Sequence, residues 1–287
     1  MTHARTQTLW VLVAVHERPQ ATARMLSALN ELNGHTPLLV SLVDTSRDNA
    51  TRERIESMIF DYPMKYTRAG SQNFWASAMR IAWEEAAVRG SSDVLWLNDD
   101  VVLDVQVMKE YLDYARQRST QISVGATSDD TGALATYSAL RRQSSMNPLK
   151  LVRVEPHDPK IYNDSIVTFN GNCVYVPSAV SEKLGGLAHY THGLADLDYG
   201  FRATQRSVPI KLYHRYIGQC PRNPIWDERS LSLQGRLEAS LRLCSKRALP
   251  PVEYLRYCRA HAPVSWPIAF LAPWLGIWRP VTTRGQS

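Results

Sequence analysis

Short apolar runs alternate with amphipathic segments along the first part of the chain. Such runs are typical of strands buried on both faces of a parallel sheet. The segments between them repeat apolar residues at helical spacing, as at Leu26, Leu29 and Leu32. This alternation favours right-handed β-α-β units and therefore predicts a doubly wound, mostly parallel sheet. The predicted strands are residues 8–15, 38–43, 64–67 and 94–97. The first predicted helix has apolar residues from Ala23 to Leu32 and ends at Gly34, and the next two are residues 51–60 and 74–88.

The periodicity changes after residue 104. Between residues 127 and 170, short β-like runs are separated by polar loops, which predicts an excursion of antiparallel strands. From residue 226 onwards the apolar spacing is helical. The sequence therefore predicts an α/β fold with a small antiparallel insertion and a helical C-terminal tail. The other predicted elements are a helix at 105–118, strands at 122–126, 173–176 and 208–213, and a helix that begins near Asp196.

Polar residues stand at the ends of two predicted strands. Asp44 ends the second strand, and Asn98, Asp99 and Asp100 follow the fourth. In an open α/β sheet, ligands bind beyond the carboxyl ends of the strands. A carboxylate at the end of the second strand suits a base or ribose, and paired acids suit Mg²⁺ or Mn²⁺. The structural alternatives are a helix N-cap or an Asx turn at Asp44, and a cap of the following turn or helix at Asp99 and Asp100.

Composition excludes several classes of protein. The chain has 287 residues and a net charge of +6, a modest excess that suits phosphate-bearing ligands or an anionic membrane surface. It has no nucleic-acid-binding motif, no glycine-rich dinucleotide fingerprint and no P-loop. The four cysteines form no close pair, which disfavours a zinc or redox site. With no apparent signal peptide and no run long enough to span a bilayer, we expect a cytoplasmic protein.

Three further segments have side chains of chemical interest. Asp196 lies near a predicted helix start, and Asp198 and Arg202 have the spacing of an ion pair on that helix. The segment Asn170-Gly171-Asn172 is a turn signal before a strand. His214 follows the strand at residues 208–213. The structural alternatives are a helix cap for Asp196, a tight turn for Asn170-Gly171-Asn172 and a structural histidine.

The order of these motifs resembles family 2 glycosyltransferases of the GT-A fold, of the bacterial polysaccharide-building, rhamnosyltransferase-like type. The motifs are a strand that ends near Arg18-Pro19, a strand that ends in Asp44, an acidic strand end, and an Asp-x-Asp-x-x-x-Arg helix start at Asp196. The resemblance covers roughly residues 8–215. It implies a Rossmann-like catalytic domain over residues 1–225, with a nucleotide-binding half at 1–104 and an acceptor-binding half at 105–225. Residues 226–287 would form a helical extension.

The resemblance also implies a nucleotide-sugar donor, UDP-, dTDP- or GDP-linked, and a divalent cation, Mg²⁺ or Mn²⁺. Asp44 would bind the nucleobase. The usual Asp-x-Asp metal motif has Asn98 at its first position here, so Asp100 is the main expected metal ligand. Asp99 and His214 are further expected ligands. The residues expected to contact the nucleotide sugar are Val15, Glu17, Arg18, Asp44, Asn73, Asn98 and Asp99.

In the same family an acid at the position of Asp196 acts as general base, which implies an inverting transfer. The usual preceding Glu is Ala195 here. We assign acceptor contacts to Asn170, Gly171, Asn172, Asp198 and Arg202. The expected acceptor is a glycan or a lipid-linked glycan of a bacterial surface polysaccharide. The segment Gln219–Asn223 resembles the Gln-x-x-Arg-Trp of processive synthases but lacks the Trp, which disfavours processive synthesis.

The C-terminal tail contains an aromatic stripe. Trp266, Phe270, Trp274 and Trp278 are spaced four apart, and basic residues lie around them. An apolar stripe with basic neighbours suits a membrane interface, so residues 264–278 are a candidate peripheral contact with the inner face of the cytoplasmic membrane. The alternative is that the stripe covers the catalytic domain or a partner subunit.

Two other functions compete with a glycosyltransferase. Asn98 and Ala195 depart from the family pattern, which allows a non-catalytic glycan-binding or scaffold subunit with the same fold. A sugar nucleotidyltransferase would share the sheet and the acidic site. It would be expected to have a glycine-rich basic loop after the first strand, and His16-Glu17-Arg18-Pro19 contains no glycine.

Overall fold

The structure is a computed structural model that describes residues 8–87, 92–158, 165–221, 232–246 and 248–278. The chain divides into two compact units. The first spans residues 1–141 and 152–222, and the second spans residues 142–151 and 223–287.

A mostly parallel sheet forms the centre of the first unit. Within the described ranges its nine strands are β1 (Leu9–Val15), β2 (Leu38–Asp44), β3 (Met64–Arg68), β4 (Val94–Leu97), β5 (Val102–Leu103), β6 (Ile122–Ser128), β7 (Ala135–Tyr137), β11 (Cys173–Val176) and β12 (Ile210–Gln219). Their order is β3-β2-β1-β4-β11-β6-β12-β5, with β7 paired to β6. β1, β2, β3 and β4 run parallel to one another, and β11 runs antiparallel between β4 and β6.

Helices cover the sheet and bury its apolar residues. α1 begins at Pro19, whose missing N–H suits the first helical position. α1 buries Met25, Leu26 and Leu29 in the same core as Val11 and Val13 of β1. Asp104 caps α4 by accepting from the backbone N–H of Val107 at 3.1 Å. The helices of this unit are α1 (Pro19–Asn33), α2 (Ala50–Glu56), α3 (Trp75–Ala87), α4 (Val105–Arg116), α5 (Ser178–Leu184) and α6 (Ala195–Gln205).

The segment between β7 and β11 forms the small sheet that the sequence predicts. Its described strands are β8 (Ala139–Arg142), β9 (Leu151–Arg153) and β10 (Ile166–Phe169), in the order β10-β8-β9. β10 pairs antiparallel with β8. The predicted α/β class, with a mostly parallel sheet and an antiparallel insertion, is confirmed.

The second unit contains three described helices, α7 (Leu233–Leu243), α8 (Pro251–His261) and α9 (Trp266–Trp278). The aromatic stripe of α9 packs against the other two helices. Tyr254 of α8 lies 5.7 Å from Phe270 and 6.0 Å from Trp274 between ring centroids. Trp278 Nε1 donates to Ser240 Oγ of α7 at 3.1 Å.

The opposite side of α9 is exposed and aliphatic. Ile268, Leu271 and Leu275 are each more than half exposed, at 56%, 51% and 57%. Phe270 and Trp274 therefore lie on the packed side, Trp278 is 43% exposed although its Nε1 bonds to Ser240, and aliphatic residues form the free side of the predicted stripe segment. No described helix combines the length and the apolar character that a bilayer crossing requires.

Candidate functional site

The carboxyl ends of the parallel strands lie along one edge of the large sheet. Val15 pairs with Asp44, and Asp44 pairs with Arg68, at the ends of β1, β2 and β3. Leu97 ends β4 and pairs with Cys173, the first residue of the antiparallel β11. An antiparallel strand begins where its parallel neighbours end, so β11 brings Asn172 to the same edge. The predicted strand-end residues therefore lie on one side of the sheet.

Arg18 holds the two acids after β4. Its Nη1 lies 2.5 Å from Asp100 Oδ2 and 3.3 Å from Asp99 Oδ1. Asp99 is 4% exposed and also accepts from Thr22 Oγ1 at 3.3 Å. Burial, followed by the negative charge of Asp100, raises the pKa of Asp99 to about 7, although Arg18 opposes this shift. Asp99 is thus a buried, internally bonded carboxyl, and Asp100 is the more accessible of the two.

Cys220 completes the surroundings of Asp100. Its Sγ donates to Asp100 Oδ1 at 3.5 Å, and Asn172 Nδ2 donates to the same sulfur at 3.7 Å. Burial, followed by the charge of Asp100, raises the pKa of the Cys220 thiol, which therefore stays protonated at neutral pH. The end of β12 thus contributes a neutral donor to the acidic turn.

The two carboxylates suit a cation that shares its shell with a substrate. Mg²⁺ keeps several waters and is usually held by one or two carboxylates together with phosphate oxygens. Within the described ranges, no three His, Cys, Asp or Glu side chains form a group that could hold a metal ion. His214 is exposed on β12, and its ring lies tilted by 58° against that of Tyr213, with ring centroids 4.5 Å apart. The residues fit a cation shared with a diphosphate, and they do not form a closed protein site.

Asp44 is buried and bonded on both oxygens. Oδ1 accepts from the backbone N–H of Ser46 at 2.8 Å, and Oδ2 accepts from Tyr66 Oη at 2.6 Å. Arg68 Nη1 lies 3.8 Å from Oδ2. The bond to Ser46 is the Asx turn that the sequence offered as the alternative. Contact between Asp44 and a nucleobase stays a prediction, and Tyr66 and Arg68 are added to the same cluster.

The loop after β1 connects Asp44 with the acidic turn. Glu17 has a φ of 51°, in the left-handed region that a residue with a side chain rarely adopts. Its backbone N–H donates to Ser46 Oγ at 2.8 Å, and its carboxylate lies 3.5 Å from Arg47 Nε. Such backbone strain is often found at functional sites. The bond to Ser46 anchors the loop residue directly before Arg18.

Asn98 and Trp75 join the fourth strand to the third helix. Trp75 Nε1 donates to Asn98 Oδ1 at 2.8 Å, and the backbone N–H of Asn98 donates to Asn172 O at 3.0 Å. Asn73 lies in the turn before α3, where its side chain donates to Gly70 O at 3.1 Å. The first position of the acidic motif therefore holds an indole ring through its side-chain oxygen.

Asp196 is a buried carboxylate that two backbone amides hold. Its Oδ2 accepts from Gly171 N at 2.9 Å and its Oδ1 from Leu197 N at 2.8 Å. The residue is 8% exposed and lies in the first turn of α6. Burial raises the pKa of Asp196 to about 6, although the two amides lower it. A carboxylate with this pKa is mostly ionised at pH 7 and is a stronger base than an ordinary aspartate.

Gly171 lies between Asp196 and Trp75. A Cβ at Gly171 would lie 2.6 Å from the Trp75 ring and 3.2 Å from Asp196 Cβ. Only a glycine allows this approach, because real Cβ atoms do not come so close to a ring carbon. Trp75 thus contacts both the segment that holds Asp196 and the acidic turn through Asn98.

The remaining predicted acceptor residues have internal partners. Asp198 is 5% exposed and accepts from Arg202 Nε at 2.8 Å, and Arg202 also donates to Leu184 O and Gly186 O. Asn170 Oδ1 accepts weakly from Ser138 N at 3.5 Å. The Asp198–Arg202 pair fixes the segment before α6, which is a structural role. Acceptor contacts at Asn170, Gly171, Asn172, Asp198 and Arg202 stay predictions.

Sequence reasoning missed several residues of this site. Four side chains donate hydrogen bonds to residues predicted for the nucleotide and metal sites: Trp75 to Asn98, Tyr66 to Asp44, Thr22 to Asp99 and Cys220 to Asp100. Tyr66 lies within β3 two residues before its end, and Cys220 directly follows β12, so their positions at strand ends were available as signals. The Arg222 and Asn223 positions of the resemblance to processive synthases lie outside the described residues.

Comparison with known proteins supports the fold. No family model and no curated protein matches the chain. Three crystal structures of Staphylococcus aureus TarS are similar, with TM-scores of 0.53, 0.54 and 0.55 at 14%, 12% and 13% identity. They cover 75%, 96% and 94% of this chain and 60%, 50% and 72% of the respective TarS chains. The third is in complex with UDP-GlcNAc, a nucleotide sugar.

This chain spans between half and three quarters of the TarS chains that it matches. At these identities the likeness concerns the fold. Together with the sheet order and the small antiparallel sheet, it confirms the predicted α/β fold, a mostly parallel central sheet flanked by helices that is similar to the fold of TarS.

Proposed function

We propose that this protein is an inverting glycosyltransferase that moves a sugar from a nucleoside diphosphate donor to an acceptor hydroxyl. One observation carries the proposal. A buried carboxylate, Asp196, with a pKa raised to about 6, is connected through Gly171 and Trp75 to the acidic turn at the sheet edge. Such a transfer needs a base for the acceptor hydroxyl and a site that binds the diphosphate leaving group.

Asp196 is proposed as the general base. An acceptor hydroxyl loses its proton while its oxygen attacks the anomeric carbon, and a positioned carboxylate that takes this proton contributes about 10²–10⁴-fold. The amides of Gly171 and Leu197 fix the carboxylate, so little reorganisation accompanies the proton transfer. One base on the side opposite the leaving group gives a single displacement, and the configuration at the anomeric carbon inverts.

The acidic turn is proposed as the diphosphate end of the site. Asp100, with Asp99 behind it, would hold Mg²⁺ or Mn²⁺, and the ion would supply charge neutralisation to the leaving diphosphate. Arg18 provides a second positive charge at the same place, because its guanidinium contacts both acids. Asn98 holds the Trp75 ring, which would border the donor sugar.

Asp44, Tyr66 and Arg68 are proposed to bind the nucleoside. They form one hydrogen-bonded cluster at the ends of β2 and β3, beside the strand that leads to Arg18. A TarS structure contains UDP-GlcNAc, so a UDP-sugar is the first donor to examine, followed by dTDP- and GDP-sugars.

The acceptor is proposed to be a glycan or lipid-linked glycan of a bacterial surface polysaccharide, reached at the cytoplasmic face of the membrane. Supporting this, the free side of α9 carries Ile268, Leu271 and Leu275. In the same unit Arg256 and Arg259 are exposed. A helical unit with both exposed aliphatic and exposed basic residues suits an anionic bilayer surface.

The test is turnover of nucleotide sugars by the wild type, Asp196→Asn and Asp61→Asn. Asp61 is an exposed aspartate, which makes its variant a matched control. Donor hydrolysis with Mn²⁺ is measured for each nucleotide class, and binding is followed by thermal shift. Ligand binding at 100 Kd stabilises the native state by about 2.7 kcal/mol. We expect Asp196→Asn to bind the nucleotide and to lose about 10²–10⁴-fold in turnover, with Asp61→Asn unchanged.

Two results would contradict the proposal. Near-normal turnover by Asp196→Asn would assign the base to another residue. Failure of every nucleoside diphosphate to raise the melting temperature would favour a non-catalytic glycan-binding subunit.

A further inference from the structure

Every carboxylate oxygen of the acidic turn already has a donor from this chain. Asp99 Oδ1 and Asp100 Oδ2 both accept from Arg18 Nη1, at 3.3 and 2.5 Å. Asp99 Oδ2 accepts from Thr22, and Asp100 Oδ1 accepts from Cys220. A cation that approaches these acids from solvent therefore has to replace existing hydrogen bonds.

Arg18 is the charged member of these three donors, and it is also the most exposed of them. Its side chain is 43% exposed, whereas Thr22 is buried within α1 and Cys220 is buried at the end of β12. Its backbone is fixed, because it directly precedes Pro19 at the start of α1. The guanidinium can therefore rotate away from the acids while the helix stays in place.

A free divalent cation and Arg18 compete for the same oxygens. Two cations next to one acidic pair repel each other, and a neighbouring positive charge lowers the affinity for a second one. A diphosphate changes this balance. Its oxygens offer the guanidinium a bidentate partner and give Mg²⁺ or Mn²⁺ the phosphate ligands that such ions prefer.

We propose that Arg18 is the resident counter-ion of the Asp99–Asp100 pair, which excludes free divalent cations until a nucleoside diphosphate draws the guanidinium onto its phosphates. Metal and nucleotide then bind together, and the metal does not bind first. The proposal rests on the nucleotide-binding part of the proposed function. In this proposal Arg18 contacts the two acids in the free protein and the diphosphate in the nucleotide complex.

The test measures binding of Mn²⁺ alone, from the electron paramagnetic resonance signal of the free ion, to folded protein without nucleotide. We expect Arg18→Gln to bind Mn²⁺ at least about tenfold more tightly than the wild type, because the competing charge is gone. Arg18→Lys keeps the charge and should stay within about threefold of the wild type. Arg24→Gln, on the exposed side of the same helix, is the control and should match the wild type.

A second pair of measurements covers the case in which Arg18→Gln does not fold. Cys220→Ala removes a neutral donor from Asp100 and should leave Mn²⁺ exclusion intact. The wild type together with UDP should bind Mn²⁺ at least about tenfold more tightly than UDP binds Mn²⁺ in the absence of protein.

Three outcomes overturn the proposal: equal Mn²⁺ affinity of the wild type and Arg18→Gln, no Mn²⁺ binding by Arg18→Gln, or release of the exclusion by Cys220→Ala. The Mn²⁺ readout needs no turnover, so its failure is separate from a failure of the proposed transferase activity.

Discussion

The raised pKa of Asp196 predicts a pH-dependent difference in stability between the wild type and Asp196→Asn. The ordinary pKa is 3.8, and burial raises it to about 6 in the native state. The native protein therefore holds the proton more tightly than the unfolded chain between these values. It follows that Asp196 adds stability as the pH falls through 6, and that this stability is lost as the pH rises through 6.

The magnitude follows from linkage. With a native pKa of about 6 and an unfolded pKa of 3.8, the free energy of unfolding should rise by about 1.3 kcal/mol between pH 7 and pH 5 from this group alone. Asn does not titrate, so the change with pH in the stability difference between the wild type and Asp196→Asn gives the contribution of Asp196 titration. The cost of replacing one oxygen by an amide group does not depend on pH, so it does not affect this change.

The assay is urea unfolding of both proteins at pH 7, 6 and 5, with Asp61→Asn as control. The stability difference between the wild type and Asp196→Asn should grow in favour of the wild type toward pH 5, and the difference for Asp61→Asn should not. A constant difference, or one that changes in the opposite direction, would refute the argument that burial governs this carboxylate.

Three further predictions concern activity, packing and the membrane. Because the base must be ionised, kcat/KM should fall about tenfold per pH unit below pH 6, measured as a pH–rate profile; an acid limb near pH 4 would contradict the raised pKa. Gly171→Ala should lower the free energy of unfolding by about 1–3 kcal/mol and reduce kcat, because its Cβ would lie 2.6 Å from Trp75; unchanged unfolding and kcat would show that the neighbours can move. The double variant Leu271→Glu/Leu275→Glu should float less with anionic vesicles than the wild type, and equal flotation would remove the membrane contact.

The strands and the sheet edge that holds the site could be predicted because both depend on residues that are neighbours in the sequence. Each buried strand is a short apolar run, and the polar residue after it marks the sheet edge, as Asp44 does after β2. The direction of β11 could not be predicted, since an apolar run of four residues reads the same in a parallel or antiparallel strand. Likewise α2 ends at Glu56 and not near Phe60, and β12 continues past His214 to Gln219.

The contacts within the site could not be predicted, because they join distant positions. Arg18 and Asp100 are 82 residues apart, and Trp75 and Asn98 are 23 apart. Spacing along one element says nothing about such pairs. The aromatic stripe of α9 is a second example in which spacing along one element did not determine the contacts between elements. Its helical period was evident, but whether Phe270 and Trp274 face solvent or Tyr254 depended on the position of α8.

Trp75 has a consequence for how donor preference can change. Its indole is tied to Asn98 on one side and lies against Gly171 on the other, and Gly171 holds the carboxylate of Asp196. If the proposed function holds, a smaller side chain at position 75 would widen the proposed sugar site and at the same time loosen Asp196, the proposed base. Donors with a larger sugar would then bind but react with a lower kcat, unless the residue at position 171 changed as well. Selection for a new sugar in this fold should act on the two positions as one unit.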